Sequence, residues 1–328
     1  IYDTWLRVQS ALAIALVLQG NDRSFEVLTT LFDTIDKHRI GDVNLICRLK
    51  LALAYANTMK GNFVTSREVL ADVANRLGVA YGDDENVDDA KAQFTNCYDL
   101  IETMNNFLLK NYDGLRENLF EYVMFANNTG DVFSKNVFKA MLGKLFCDNK
   151  QAKHAIEIYD EQVTYFANKK LALGALLSWY YIAEATIITE SPKNAIEIAT
   201  KALEIAQNPQ INNTFFIVLL RMVIAKAEIE QSDYETAKIN LESALLLAKK
   251  YNMNDLLSKI YYLYANYYFE LGSVESQKQL EFLRGSSTMY DKATDLIVKV
   301  TKNTYLREKI NVKKEKLMDF CNHHSIPL

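Results

Sequence analysis

The sequence predicts an all-α solenoid of stacked helical hairpins, and three observations carry that prediction. Small residues recur inside amphipathic helical segments at Ala13, Ala54, Thr103, Gly143, Ala183, Ala225 and Ala265, at spacings of 41, 49, 40, 40, 42 and 40 residues. Only 11 glycines and 3 prolines punctuate 328 residues, which favours long helices joined by short turns over a sheet-rich fold. Isoleucine and valine rarely alternate with polar residues as a half-buried strand requires. Stacked repeats also escape the usual ceiling on a single core, because each unit packs only on its neighbours. The chain starts at Ile1 already inside a helical pattern, so the expectation is one superhelical domain over 1–328 belonging to a longer protein.

The unit is clearest from Leu219 to Tyr251. Ala225 is the small residue of the first helix, Ser232-Asp233-Tyr234 is the turn, and Ala237 and Ala244 are small residues of the second. Small residues let two helices approach closely, while Ile224, Ile229, Leu241 and Leu245 fill the seam around them. Laid along the chain, this register predicts units near 2–38, 42–77, 90–126, 132–167, 170–207, 212–251 and 255–302, with a capping helix over 305–321.

Unit one turns at Gln19-Gly20-Asn21-Asp22, and unit two at Lys60-Gly61-Asn62, where Gly61 suits the left-handed conformation that ends helices. The acidic stretch Gly78 to Asp89 reads as a solvated loop and accounts for the 49-residue step. Unit three turns at Lys110-Asn111-Tyr112-Asp113 and carries Thr103 in place of a smaller anchor. Units four and five follow with Gly143, Ala155 and Tyr159, then Trp179, Ala183, Ala195, Ala199 and Ala202, and Pro192 suits a helix start. Unit seven opens with Tyr261, Tyr264, Ala265 and Tyr268 and turns at Leu271-Gly272. Gln277 then falls where a small residue is expected, which predicts an insertion or an extra short helix within Ser273–Thr288. The final segment, Tyr305 to Phe320, is amphipathic with Lys309, Lys313, Lys314 and Lys316 in its middle, and would shield the last apolar face. A basic membrane-surface helix is the rival reading of that segment.

Composition and motifs then narrow the function. A formal charge of −4 makes the chain a poor candidate for wrapping nucleic acid. No apolar run approaches the length needed to span a bilayer, and ALAIALVL (Ala11 to Leu18) reads as a core helix. Cys47, Cys97, Cys147 and Cys321 stand far apart and read as free buried thiols in a reducing cytoplasm. Phosphate-binding glycine loops, the G-x-S-x-G elbow and H-E-x-x-H are all absent. Cys321, His323 and His324 could share a metal, but three ligands at one end without a second cluster make a poor site, and no metal or cofactor is expected.

The residues at Trp179, Ile182, Ala183, Ala195, Ala199 and Ala202, and again at Ile224, Ala225, Ala237 and Ala244, resemble a tetratricopeptide repeat. A period near 40 is longer than the standard one. It is similar to the long-hairpin tetratricopeptide domains of bacterial regulators: the sensor superhelix of STAND-class ATPase activators of the maltose-activator kind, and the peptide-pheromone receptors of Gram-positive bacteria and their phages. The resemblance implies a right-handed α-α superhelix that binds a ligand or peptide inside and shifts an attached effector domain between states.

In such folds one face of each first helix lines the concave groove. That face carries Tyr262, Asn266 and Phe269 in unit seven, Met222, Lys226 and Ile229 in unit six, and Tyr180, Glu184 and Ile187 in unit five. Units four and two contribute Ala140, Lys144 and Cys147, and Leu51, Tyr55 and Thr58. The candidate ligand-binding residues are therefore Tyr55, Lys144, Tyr180, Glu184, Met222, Lys226, Tyr262, Asn266 and Phe269. Rigid aromatics beside an amide or a charge suit an extended peptide or a partner helix. The leading expectation is a non-catalytic, cytoplasmic sensor or interaction domain for a protein or peptide, possible as a homodimer. Its rivals are a self-associating scaffold and a phosphatase-like regulator acting on a partner protein.

Overall fold

The computed structural model describes residues 2–18, 23–81, 89–109, 115–148, 151–170, 172–189, 192–275 and 277–327. Among them the chain forms fifteen α-helices, one π-helical turn and no strand. The helices pair in chain order: α1 (Tyr2–Leu18) with α2 (Arg23–Lys37), α3 (Val43–Lys60) with α4 (Phe63–Tyr81), α5 (Asp89–Leu109) with α6 (Leu115–Asn128) and α7 (Val132–Asp148) with α8 (Ala152–Asn168). Three further pairs follow: α9 (Ala172–Thr189) with α10 (Pro192–Gln207), α11 (Thr214–Glu230) with α12 (Tyr234–Lys250) and α13 (Asn254–Val274) with α14 (Gln279–Leu296). The π-helical turn Ile297–Thr301 leads into α15 (Thr304–His323).

Local chemistry explains why the turns are short. Asp42, Asn213, Asp233 and Asn303 each accept a hydrogen bond from the backbone N–H three residues on, at 3.0, 3.1, 3.3 and 3.0 Å. Losing one such cap costs about 1 kcal/mol. At the other end of a helix the chain reverses through a left-handed residue. Gly61 has φ 77°, and the Asn62 N–H beyond it donates to the Asn57 carbonyl at 2.9 Å. Ser232 and Asn252 repeat the device at φ 62° and 51°, followed by bonds from Asp233 to Glu228 and from Met253 to Ala248, both 2.9 Å. A left-handed stop followed at once by a polar cap turns the chain in very few residues.

The recurring small residues sit where helices touch. Ala13, Ala54, Ala183, Ala225 and Ala265 are fully buried, Thr103 is 1% exposed, and Gly143 is buried too. A Cβ at Gly143 would lie 2.7 Å from the Tyr159 ring, so hydrogen at this position is what admits the tyrosine. Each first helix packs on the first helix of the next unit, from α1–α3 through α11–α13. Each second helix packs on its own partner and on the first helix that follows. First helices thus form an inner layer and second helices an outer one, in a right-handed α-α superhelix.

The superhelix closes on itself. The end of α3 meets the start of α13, where Asn254 Nδ2 donates to Asn62 Oδ1 at 3.4 Å across 192 residues of sequence. Next to that contact α15 packs on α13 and reaches α5. Asp255, at the start of α13, is 2% exposed, pairs with Lys259 and accepts from Asn303 Nδ2 at 3.3 Å.

Several expectations are corrected. Gly78 to Tyr81 extend α4 as helix, so a loop beginning at Gly78 is excluded; 82–88 lie outside the described residues, as do the expected turns at Gln19–Asp22 and Lys110–Asp113. Among the described residues unit seven has no extra short helix; the added residues lengthen its helices, α13 running nine residues past Ala265 where α11 stops five past Ala225. Leu271-Gly272 is helix interior, and a Cβ at Gly272 would sit 2.9 Å from Leu283. The small residue facing the anchor is Ser286, whose hydroxyl donates to the Ala265 carbonyl at 2.9 Å, and not the position of Gln277. Cys97 is exposed where a buried thiol was expected, while Cys47, Cys147 and Cys321 are buried and free.

Candidate ligand-binding cavity

Closure converts the expected open groove into a cavity of about 560 Å³. Its wall comes from α3, α5, α7, α9, α11 and α13, together with the N-terminal half of α15 and its cap Asn303, and from no second helix of a hairpin. The residue directly after the buried anchor faces inward in every unit from two to seven: Tyr55, Met104, Lys144, Glu184, Lys226 and Asn266. The reason is geometric, since one residue along a helix turns the side chain by about 100°, from the seam beside the anchor to the inner face.

Eight of the nine candidate residues line this cavity: Tyr55, Lys144, Tyr180, Glu184, Met222, Lys226, Tyr262 and Asn266. Phe269 does not. It lies four residues beyond Ala265, where α15 covers α13, and its ring packs edge-on against Phe320 at 5.7 Å. The neighbouring row positions Leu51, Thr58, Ala140 and Cys147 are buried in seams. Thr58 instead donates to Asn105 Oδ1 at 2.8 Å in a buried cluster with Ser66.

First helices of successive hairpins run in the same direction, so position along the helix is depth along the cavity. The N-terminal halves contribute Phe133, Val137 and Met141, Leu177, and Phe215, Phe216 and Leu219, an apolar end. Beyond the anchors stand Lys144, Glu184, Lys226, Glu230, Asn266 and Glu270, a polar end. Apolar residues share that level, namely Met59 of α3, Met104 and Phe107 of α5 and Ile229 of α11. Lys259 is the one charge at the apolar end, and Asp255 neutralises it.

The polar groups are held in place. Lys144 Nζ lies 3.6 Å from Glu184 Oε2, and the Tyr180 phenol is hydrogen-bonded to the same carboxylate. Burial, then the nearby Glu184, drives the Tyr180 phenol far above its usual range, and burial alone does the same to Tyr55, so both stay neutral donors. The Tyr290 hydroxyl on α14 donates to Asn266 Oδ1 at 2.8 Å. That bond fixes the amide so that its Nδ2, with two donors, is the end offered to a ligand. Asn266 is thereby suited to reading a carbonyl.

Solved structures of similar shape cover nearly the whole chain. The superhelix aligns with NprR in complex with its cognate peptide NprX at TM-score 0.57 and 12% identity, over 98% of this chain and 89% of that one. With the Rap protein complexed with competence and sporulation factor the TM-score is 0.54 at 11% identity, over 96% and 99%. The fold is that of a tetratricopeptide-repeat superhelix. The apo quorum sensor NprR from B. thuringiensis aligns at TM-score 0.52 and 11% identity, over 96% and 83%. No protein-family model and no curated protein matches the chain.

The cavity of this tetratricopeptide-like ring includes residues that the groove row missed. Leu100, Met104 and Phe107 belong to the divergent unit three, and Lys309 and Lys313 to α15, which reads in sequence only as a cap. A signal for the lysines existed: Leu306, Lys309 and Lys313 are spaced i, i+3, i+7 and share a helix face. Among the described residues no cluster of three or more His, Cys, Asp or Glu side chains could hold a metal ion. Cys321 is buried on the inner side of α15, whereas His324 is exposed and stacks on Phe320 at 4.2 Å. No described helix is long and apolar enough to cross a membrane.

Proposed function

We propose that this chain is a non-catalytic sensor domain that encloses a short peptide inside its ring. The observation that carries the proposal is the cavity itself, mostly apolar, with a few oriented polar groups, and within the ~300–1,000 Å³ typical of small-ligand sites. The Nδ2 donors of Asn266 favour an extended peptide over a partner helix, because an extended backbone leaves its carbonyls free whereas a helix pairs them internally.

The donors of Asn266 and the phenols of Tyr55 and Tyr262 match peptide carbonyls, and the apolar end matches side chains. Structures of similar shape support the reading, since one is in complex with its cognate peptide and another with competence and sporulation factor. Peptide binding would favour the closed ring over an open one, and a regulatory protein, including a transcriptional one, would use that bias to shift an attached module.

The test is calorimetric titration of the whole chain with a synthetic library of short apolar peptides. Wild type is expected to retain a subset, with Asn266→Ala and Tyr262→Ala each weakening it by about tenfold, the loss of one or two hydrogen bonds. Equal binding by wild type and both variants would place the ligand elsewhere.

A further inference from the structure

Five lysines line the cavity, and their surroundings separate them. Lys144 is matched by Glu184 and Lys259 by Asp255. Lys226 stands one turn before Glu230, whose carboxyl is pushed up by burial and pulled back by that lysine. Lys309 and Lys313 on α15 differ. Neither has an ion pair among the described residues, and the nearest partner of Lys309 is the Tyr305 ring, 5.0 Å from its ammonium. The next lysine on the helix, Lys314, does not line the cavity and pairs with Asp291. Like charges four residues apart on a helix repel, so the exposed Lys309 and half-buried Lys313, side by side on the cavity wall, favour an anion between them.

The depth of these lysines is also set. Asn303, the cap of α15, bonds Asp255 near the start of α13, and both helices leave that point side by side. Lys309 and Lys313, six and ten residues further, come level with Tyr262, just before the anchor Ala265, and with Asn266, where the polar end begins. The ligand's apolar groups would fill the opposite end.

We propose that Lys309 and Lys313 form a carboxylate-binding pair, and that the ligand is a short apolar peptide carrying a carboxylate at one end. The proposal rests on the reading of the cavity as a peptide site and adds the ligand's charge and polarity to it. It also makes α15 part of the site: a ligand gripped by these lysines ties α15 to the ring. The carboxylate has two possible sources, the free C-terminus or an acidic terminal side chain, and one experiment separates them.

The probes are three forms of an N-terminally labelled pentapeptide mixture randomised over Leu, Ile, Val, Phe and Met: free acid, C-terminal amide, and the amide extended by one Asp. Binding to the whole chain is followed by fluorescence polarisation. The free acid, the Asp amide, or both are expected to bind at least about tenfold more tightly than the plain amide, according to the source. A Lys309→Gln/Lys313→Gln variant should remove that preference, while Lys314→Gln should keep it. The preference should shrink as salt is raised. Acid, Asp amide and plain amide binding equally to wild type, or a preference that survives the double variant, would overturn the carboxylate pair while leaving the peptide site standing. Retention of none of the three would overturn both.

Discussion

Gly61 and Asp255, far apart in sequence, touch so closely that a Cβ on Gly61 would lie 2.4 Å from the Asp255 backbone nitrogen. The contact joins unit two to unit seven and so turns a row of repeats into a ring with an inside. Gly61 meets two demands at once, since its φ of 77° is also one that side chains resist.

Gly61→Ala should therefore cost more than an ordinary helix-ending substitution. The left-handed conformation costs about 1–2 kcal/mol and the clash against backbone about 1–3 kcal/mol more. A lowered urea midpoint together with a larger radius of gyration by small-angle scattering would show that the ring opens. Gly130, also left-handed at φ 73° but with nothing within 4 Å of a Cβ, is the control: Gly130→Ala should lower the midpoint without changing the radius.

Asp255→Asn tests the same junction through charge. The carboxylate is 2% exposed, and its partner Lys259 keeps a side chain 24% exposed. Breaking a buried pair costs about 3–5 kcal/mol, and the partial exposure of Lys259 points to the lower end. Amide hydrogen exchange should quicken over the first turns of α15, because Asn303 loses its charged acceptor.

Thr103 is the anchor that departs from small residues, and its buried hydroxyl has no hydrogen-bond partner among the described residues. An unsatisfied buried hydroxyl costs about 1–3 kcal/mol. Thr103→Val, with the same branching and no orphan oxygen, should raise the urea midpoint by an amount corresponding to about 1 kcal/mol. A fall in the midpoint would mean that the hydroxyl is satisfied.

Asp99 supplies a pH dependence. Burial first, and Glu102 second, push its carboxyl up to about 7 from its ordinary 3.8. Between those values the folded state holds the proton that the unfolded state has lost, so this group makes stability fall as pH rises and then level off above 7. Asp99→Asn removes the effect. The variant should match wild type near pH 4 and gain on it steadily to pH 7.5 in chemical denaturation. A difference constant with pH would show that Asp99 ionises normally.

Much of the candidate site was legible because it follows from the repeat. The anchors pack in the seams, and the next residue turns inward, so Tyr55, Lys144, Glu184, Lys226 and Asn266 could be picked by register alone. The register erred where one helix covers another for a local reason: Phe269 turns to Phe320 because α15 lies across α13 at that level. Unit seven misled for a similar reason. Its added helical turns moved the small residue from the position of Gln277 to Ser286, and a fixed offset cannot track a change of helix length.

What the sequence determined by itself was the repeat: where helices start and stop, which residues are small because helices cross there, and which face each first helix turns inward. Those are short-range properties, carried by caps, turns and spacing within about 40 residues. Closure was decided only by the tertiary structure. It depends on the rotation between units summed over the five steps from unit two to unit seven, and it places Asn62 against Asn254 and α15 against α5 with no periodic trace in the chain. That sum makes the difference between an open groove and an enclosed cavity, and it brings Lys309 and Lys313 from a capping helix to the cavity wall.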